Sequence, residues 1–208
     1  MARRLYPAVL ILAGGLGSRL GHVDKASLRL SDQPERSLLE RALERYDRLG
    51  PLYVANGAHA AVDIGAARCL PDPPDVAPHS GPLAGVLAGL RQAHNDRLDA
   101  LLVCPVDLLA PSATCLRALL QTLSCNLELD GVRASRDGQP EPLVSAWRVS
   151  DALLASALAE LQSGQRSVRR WQARLSFNDE LVQGSEAPWR NLNTPEDLLN
   201  WQRSRGAG

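Results

Sequence analysis

Residues 7 to 25 read PAVLILAGGLGSRLGHVDK, and they contain the strongest indication of the fold. Its first six residues are apolar, which is typical of a strand covered on both faces of a sheet. The glycines that follow, at 14, 15, 17 and 21, predict a loop whose backbone can approach a bound group closely. The stretch ends at Lys25, the only lysine among 23 basic residues. Such an exception indicates a specific role for that side chain.

The composition is that of an ordinary globular chain. Its 208 residues predict one domain, residues 1–208, that is long enough to bury a large core. The formal net charge is +0, so no global charge attracts nucleic acid or an anionic membrane. No run approaches the roughly 20 apolar residues of a membrane helix. The four cysteines lack metal-ligand spacing and are expected to be free thiols. We therefore expect a cytoplasmic protein with no nucleic acid and no membrane as partner.

Apolar runs alternate with helical patterns along the whole chain. This alternation predicts βαβ units and therefore an α/β, Rossmann-like fold with a mostly parallel sheet flanked by helices. The predicted strands are PAVLIL, LYVAN, RCLPD, ALLVCPVD, LELDGVRAS and PLVSAWRV. The predicted helices cover 37–50, 58–66, 81–94, 112–125 and 150–163, with a last one that Thr194 caps.

Polar residues or glycines follow four of the predicted strands. They are the Gly-rich loop after the first strand, Asn56, Asp72 and Asp107. The carboxyl ends of parallel strands meet at one edge of a sheet, and ligands of open α/β sheets bind there. We therefore expect these residues to form one site.

The Gly-rich loop is neither a Walker A sequence nor a GxGxxG fingerprint. Taken alone, it is as compatible with a simple strand-to-helix turn as with phosphate binding. Lys25 favours phosphate binding, because a flexible ammonium group can reach an α-phosphate, and Arg19 can add bidentate contacts. As a residue of an exposed loop, Lys25 is expected to contribute little to stability.

Asp107 follows an apolar strand, where a carboxylate is costly unless it is paired or coordinated. It could instead cap the next helix, but Ser112 is better placed for that role. We favour a Mg²⁺ ligand, since magnesium binds through one or two carboxylates together with phosphate oxygens and waters. Asp72 is equally compatible with a second polar contact and with a turn residue before Pro73.

Four motifs, in the right order along the chain, resemble those of the molybdenum cofactor guanylyltransferases, a MobA-type nucleotidyltransferase family. They are LAGGLGSRLGHVDK (12–25), GPLAG (81–85), CPVDLLAP (104–111) and NLNTPEDL (191–198). The resemblance implies a Rossmann-like nucleotidyltransferase fold and a Mg²⁺-dependent reaction. In that reaction GMP passes from GTP to molybdenum-molybdopterin, and pyrophosphate is released. The resemblance also suggests molybdopterin-supplying proteins and molybdoenzyme acceptor proteins as partners.

The same resemblance implies roles for individual residues. The catalytic residues would be Lys25, Arg19 and Asp107, with Asp107 as the metal ligand. GTP would be bound by Leu12, Ala13, Gly14, Gly15, Lys25, Asn56, Asp72 and Asp107. The pterin would be bound by Arg19, Gly21, Gly81, Gly85, Arg166, Asn191 and Asn193. The role of Arg166 stays open, because the family often has two adjacent arginines and Ser167 stands in place of the second.

Three alternatives compete with this hypothesis. A molybdopterin cytidylyltransferase is close, but that branch tends to read LAAG where this chain reads LAGG. A sugar-1-phosphate nucleotidyltransferase shares the loop and the metal aspartate, while GPLAG and the short chain argue against it. A nonenzymatic protein that binds and delivers the cofactor is the third, and the presence of both Lys25 and Asp107 favours an enzyme over it.

Overall fold

A computed structural model describes residues 3–14, 16–17, 23–30, 32–56, 65–77, 80–108, 112–182 and 197. Its strands are β1 (Pro7–Leu12), β2 (Leu16–Gly17), β3 (Val23–Asp24), β4 (Arg29–Leu30), β5 (Gln33–Ser37), β6 (Leu52–Ala55), β7 (Arg68–Leu70), β8 (Ala100–Pro105), β9 (Gly131–Arg136), β10 (Gln139–Arg148) and β11 (Phe177–Leu181). Its α-helices are α1 (Leu38–Tyr46), α2 (Pro82–Asn95), α3 (Ala113–Cys125), α4 (Asp151–Gln162) and α5 (Val168–Gln172).

Seven strands form one sheet in the order β11-β9-β10-β8-β1-β6-β7. β10 runs antiparallel to both of its neighbours, and the other neighbouring pairs are parallel. The prediction of a mostly parallel sheet is therefore confirmed. From β1 the chain adds β6 and then β7 on one side, and it then crosses back through α2 to place β8 on the other side of β1. Such a switch point opens a crevice beyond the carboxyl ends of the strands.

Helices cover both faces of the sheet. Alternate residues of β1 point to opposite faces: Val9 and Ile11 pack with α1 and α3, whereas Ala8 and Leu10 pack with α2, α4 and α5. All four β1 side chains are fully buried. The unbroken apolar sequence of this strand is thus explained by burial on two faces.

The first helix begins with a capping box. The Ser37 hydroxyl accepts a hydrogen bond from the Glu40 amide (3.2 Å), and the Ser37 amide donates to Glu40 Oε2 (2.6 Å). The hydrogen bond from the Ser37 amide lowers the pKa of the Glu40 carboxyl. The helix ends at Tyr46, four residues before the predicted end at Gly50.

Most predicted elements are confirmed, with ends that move by a few residues. β10 begins at Gln139 instead of Pro142, because Asp137 and Gly138 both adopt positive φ angles (49° and 74°) and form a tight hairpin turn. The predictions did not include α5, β11 or the short strands β2 to β5. The predicted helix over 58–66 falls mostly outside the described residues, and so does the start of the helix capped by Thr194.

The four cysteines are free, as predicted. Cys104 and Cys115 are buried, and burial raises the pKa of each thiol to about 12. Both thiols are therefore neutral at physiological pH and act as small core side chains. In the described part of the chain, no helix is long and apolar enough to cross a membrane.

Helix α2 packs closely against β1 and β8 at Gly89. A Cβ atom added at Gly89 would lie 2.7 Å from Cδ2 of Leu10 and 3.0 Å from Cδ2 of Leu101. Both leucines are fully buried and have little room to move. The helix can therefore lie this close to β1 and β8 only without a side chain at position 89.

We expect Gly89→Ala to lower the free energy of unfolding by about 1–3 kcal/mol, because the new methyl group overpacks the core. The expected sign opposes helix propensity, which favours alanine by about 1 kcal/mol. Urea denaturation measures the change. Ala155→Gly, on the exposed side of α4, measures the propensity effect alone. A stabilised Gly89→Ala protein would contradict the close packing.

Candidate active site

The carboxyl ends of β1, β6 and β8 are tied together by backbone hydrogen bonds beyond the last strand residues. The amides of Ala13 and Gly14 donate to the Ala55 carbonyl (2.8 and 3.0 Å), and the Val106 amide donates to the Leu12 carbonyl (3.0 Å). The three loops that leave these strands therefore start side by side. These three loops therefore leave one edge of the sheet, and that their residues form one site with Asp72 stays a prediction.

The same hydrogen bonds alter the interpretation of the Gly-rich loop. The amides of Ala13 and Gly14 are engaged by the sheet, and the side chains of Leu12 and Ala13 are buried, while Gly14 is exposed. Amide groups that bind phosphate would have to come from later in the loop. The predicted site residues Gly15, Arg19 and Gly21 lie outside the described residues.

Lys25 and Asp107 form an ion pair at this edge. The Lys25 Nζ atom donates to Asp107 Oδ2 at 2.6 Å, and the two side chains are only 16% and 19% exposed. Lys25 begins a 3-10 turn (Lys25–Ser27), which the buried side chain of Ala26 anchors to the core. The expectation of an exposed loop lysine is therefore wrong, because the turn directs the side chain inward onto the carboxylate.

Asp107 does not cap a helix. The N-cap of α3 is Ser112, whose hydroxyl accepts a hydrogen bond from the Cys115 amide at 3.1 Å. Asp107 instead lies in the turn after β8, followed by Leu108, which is buried. The alternative role of Asp107 as a helix cap is thus excluded. The aspartate is held at the end of the strand with its carboxylate on Lys25.

Asn56 is buried at the end of β6 and is oriented by a cysteine. The Cys69 thiol donates a hydrogen bond to Asn56 Oδ1 at 3.2 Å. Parallel pairing of β6 with β7 sets Val54 opposite Cys69 and so brings the thiol within reach. The sequence contained no signal for this contact. Asp72 lies two residues beyond β7 and is partly exposed.

Two residues assigned to the pterin side lie together although they are far apart in sequence. Gly81 precedes α2 with a φ of 73°, and a Cβ atom there would lie 3.9 Å from both Cβ and the carbonyl oxygen of Arg166. The Gln165 side chain accepts hydrogen bonds from the amides of Arg166 and Ser167 (3.0 and 2.9 Å) and shapes this loop. Pterin binding by Arg166 stays a prediction.

Gly85 has a packing reason to be glycine. It is buried, and an added Cβ atom would lie 2.9 Å from Cδ2 of Leu12 and 3.1 Å from Cβ of Ala55. It therefore brings α2 against β1 and β6 directly below the site. Its assignment to the pterin remains untested, as do those of Asn191 and Asn193, which lie outside the described residues.

The donor set suits a sparsely coordinated cation. Among the described residues there is no group of three or more histidine, cysteine, aspartate or glutamate side chains that could hold a metal. Asp107 offers a carboxylate with two oxygens, of which Oδ2 accepts from Lys25. A Mg²⁺ ion that takes most of its ligands from substrate phosphates and water needs no more than this.

The architecture defines the class of the protein. The fold of this chain is similar to the crystal structure of Molybdopterin-guanine dinucleotide biosynthesis protein A from Archaeoglobus fulgidus, with a TM-score of 0.73. The two chains are 20% identical in sequence, and the match covers 97% of this chain and 100% of the other. At this identity the likeness establishes the fold, which is that of Rossmann-like nucleotidyltransferases. Residues 9–178 match the MobA-like NTP transferase domain, and the chain belongs to that family.

Sequence relatives agree with this assignment. A molybdenum cofactor guanylyltransferase of Cereibacter sphaeroides is 36% identical over 91% of this chain and 92% of its own length. Another from Ralstonia pickettii (strain 12J) is 35% identical with the same coverage. The resemblance inferred from the four motifs is confirmed.

We expect Lys25→Met to lower the free energy of unfolding by about 1–3 kcal/mol, because Asp107 would keep a largely buried charge without its partner. Adding Asp107→Asn should restore part of this loss, so the two effects should not add. Urea denaturation of the two single variants and the double variant measures the coupling.

Arg68→Met is the matched control for this cycle. Arg68 pairs with Asp96, and the two side chains are 57% and 33% exposed. Loss of this pair should lower the free energy of unfolding by less than about 1 kcal/mol. Additive effects at Lys25 and Asp107, or a cost at Lys25 no larger than at Arg68, would contradict the stabilising role of the buried pair.

Proposed function

We propose that this nucleotidyltransferase transfers GMP from GTP to molybdenum-molybdopterin, which forms the guanine dinucleotide cofactor and releases pyrophosphate. The observation that carries the proposal is the Lys25–Asp107 pair at the edge where β1, β6 and β8 end. It brings one cation for phosphate and one carboxylate for a metal to a single point. The names of the sequence relatives support the choice of guanosine as the nucleoside.

The reaction requires positioning and charge neutralisation more than proton transfer. A terminal phosphate oxygen of the pterin substrate attacks the α-phosphorus of GTP, and a new P–O bond forms. The bond from that phosphorus to the oxygen bridging to the β-phosphate breaks, and its electron pair leaves with pyrophosphate. A phosphate oxygen is already ionised, so no strong general base is needed.

Lys25 supplies positive charge to this transfer. Its ammonium group lies on a flexible four-carbon chain and is a compact point charge, so it can turn from Asp107 to a phosphate oxygen. Stabilising the negative charge that develops on the phosphates lowers the barrier. Asn56 and Asp72, at the ends of β6 and β7, bind the nucleotide beside it.

Mg²⁺ is the proposed metal cofactor, with Asp107 as its protein ligand. When bound, it offsets the negative charge of the phosphates during transfer. The four free thiols suit a reducing cytoplasm, where we propose that the protein works. There it would receive molybdopterin from the proteins that supply it and pass the finished cofactor to molybdoenzymes.

Purified protein with Mg²⁺ and molybdenum-loaded molybdopterin should release pyrophosphate with GTP and not with CTP. The recovered product should be the guanine dinucleotide. Pyrophosphate and product analysis with the two nucleotides in parallel tests this. Turnover with CTP instead of GTP would reassign the nucleoside. Tight pterin binding without pyrophosphate release from either nucleotide would indicate a delivery protein and contradict the proposed enzyme.

Asp107→Asn and Lys25→Ala should have different kinetic effects, because Asp107 is the proposed metal ligand and Lys25 the proposed phosphate contact. Asp107→Asn should raise the Mg²⁺ concentration for half-maximal rate, because the amide carries no charge for the cation. Lys25→Ala should lower kcat by about 10²-fold, since one preorganised charge at the phosphates is lost. Rates across a Mg²⁺ titration give both quantities. Asp151→Asn, at a 91% exposed side chain of α4, should match the parent.

Cys69→Ala should raise the KM for GTP by about fivefold, because Asn56 loses the hydrogen bond that orients it. The KM for molybdopterin should stay unchanged. Cys69→Ser keeps a donor at this position and should recover most of the GTP affinity. Initial-rate kinetics with each substrate varied in turn give the values. Equal KM values for GTP in all three proteins would remove Cys69 from the nucleotide site.

A further inference from the structure

The start of β10 lies at the same edge of the sheet as the candidate active site. β10 pairs antiparallel with β8, with Arg148 opposite Ala100 and Ser145 opposite Val103. The residues of β10 that precede Ser145 therefore extend toward the carboxyl end of β8. Asp107 lies just beyond that end. Glu141 is thus carried to the site edge by a strand that the sequence motifs did not include.

A bulge in β10 sets the direction of Glu141. In the pairing with β9, Glu141 lies opposite Ala134 and Ser145 lies opposite Arg133, so residues 142–144 have no counterparts on β9. Bulges of this kind bend a strand and redirect its side chains, and they are frequent beside active sites.

Buried side chains hold this bulge in one conformation. The Pro142 carbonyl accepts hydrogen bonds from Gln172 Nε2 (2.9 Å) and from the Ser145 hydroxyl (3.1 Å). Gln172 is 1% exposed and Ser145 is fully buried. The Trp147 indole in turn donates to the Ser145 hydroxyl at 2.8 Å. Functional side chains need such a second layer of support to keep their geometry.

Glu141 itself is a half-buried carboxylate, and among the described residues no group donates a hydrogen bond to it. Burial raises the pKa of this carboxyl, and the nearby Arg136 opposes that shift. A carboxylate partly removed from water is costly without hydrogen-bond donors. Its position at a ligand-binding edge indicates that a substrate supplies them.

The position of Glu141 indicates which substrate it meets. The residues assigned to GTP follow β1, β6 and β7, on one side of Asp107. β10 lies on the opposite side of β8 from β1, so Glu141 lies away from the strands that precede these GTP residues. A pterin carries neighbouring N–H donors on its 2-amino-4-oxopyrimidine edge. A carboxylate matches such a planar pair of donors with two parallel hydrogen bonds.

We propose that Glu141 binds the acceptor substrate, with its carboxylate accepting hydrogen bonds from the N–H edge of the pterin. This inference rests on the proposed function and extends it to a residue outside the motifs. Glu141 contacts the pterin ring and not the reacting phosphates. Its substitution should therefore change pterin affinity far more than turnover at saturation.

Glu141→Gln tests the proposal with a side chain of the same shape. The KM for molybdopterin should rise about tenfold or more, because a hydrogen bond to a charged acceptor is lost. The KM for GTP, the Mg²⁺ concentration for half-maximal rate and kcat at saturating pterin should stay within about threefold. Glu128→Gln, at an exposed position between α3 and β9, is the matched control and should behave as the parent.

Two further measurements separate binding from folding and from transfer. The melting temperature of Glu141→Gln should equal or exceed that of the parent, because a partly desolvated charge is removed; a merely structural glutamate would lower it. Ultrafiltration with molybdopterin and no GTP should show weaker binding by Glu141→Gln. If this difference appears without any GMP transfer by the parent, the proposed function fails while Glu141 remains a pterin ligand.

A different result would overturn the role of Glu141 and leave the proposed function intact. GMP transfer by the parent, together with an unchanged KM for molybdopterin in Glu141→Gln, would remove Glu141 from the acceptor site. A selective rise in the Mg²⁺ requirement would also overturn it, because that result would make Glu141 a metal ligand.

Discussion

The pairing of β1 with β6 on one side and β8 on the other is the constraint on which the site depends. Leu12 lies opposite Ala55 in one pair and opposite Pro105 in the other. Backbone hydrogen bonds beyond these residues keep the starts of the loops after β1, β6 and β8 side by side. Lys25 and Asp107 are 82 residues apart in sequence and meet because of this arrangement. The buried β1 therefore determines where charge can be placed at the sheet edge.

Local charge is the means by which this chain can handle anionic substrates. Its net charge is +0, so attraction to phosphate must come from a few positioned groups. The Lys25–Asp107 pair keeps both charges compensated in a place with little water. A lysine suits this position better than one more arginine, because a single flexible ammonium can change partners. Under the proposed function, this is the role of the one lysine in the chain.

One aromatic cluster joins β10 to the segments that pack against it. The Trp147 and Trp171 rings stack with centroids 4.6 Å apart, and Phe177 packs edge-on against Trp147. Trp147 belongs to β10, which carries Glu141, and Trp171 belongs to α5, which follows the Arg166 loop. Contact between these rings ties the two segments together. Shared packing of this kind keeps the positions of both segments fixed relative to each other.

Local patterns in the sequence predict the main helices and strands, because apolar periodicity and turn residues act over a few positions. PAVLIL, ALLVCPVD and the helix predicted over 37–50 are examples, and the motifs also identified the family and predicted that Lys25 and Asp107 belong to one site. β11 was missed, because FNDEL is mostly polar and becomes a strand only by pairing with β9. Three contacts became visible only in the folded chain: the Lys25–Asp107 pair, the hydrogen bond from Cys69 to Asn56 and the approach of Gly81 to Arg166. These contacts depend on strand order and register, which are set by packing between distant segments and leave no local pattern in the chain.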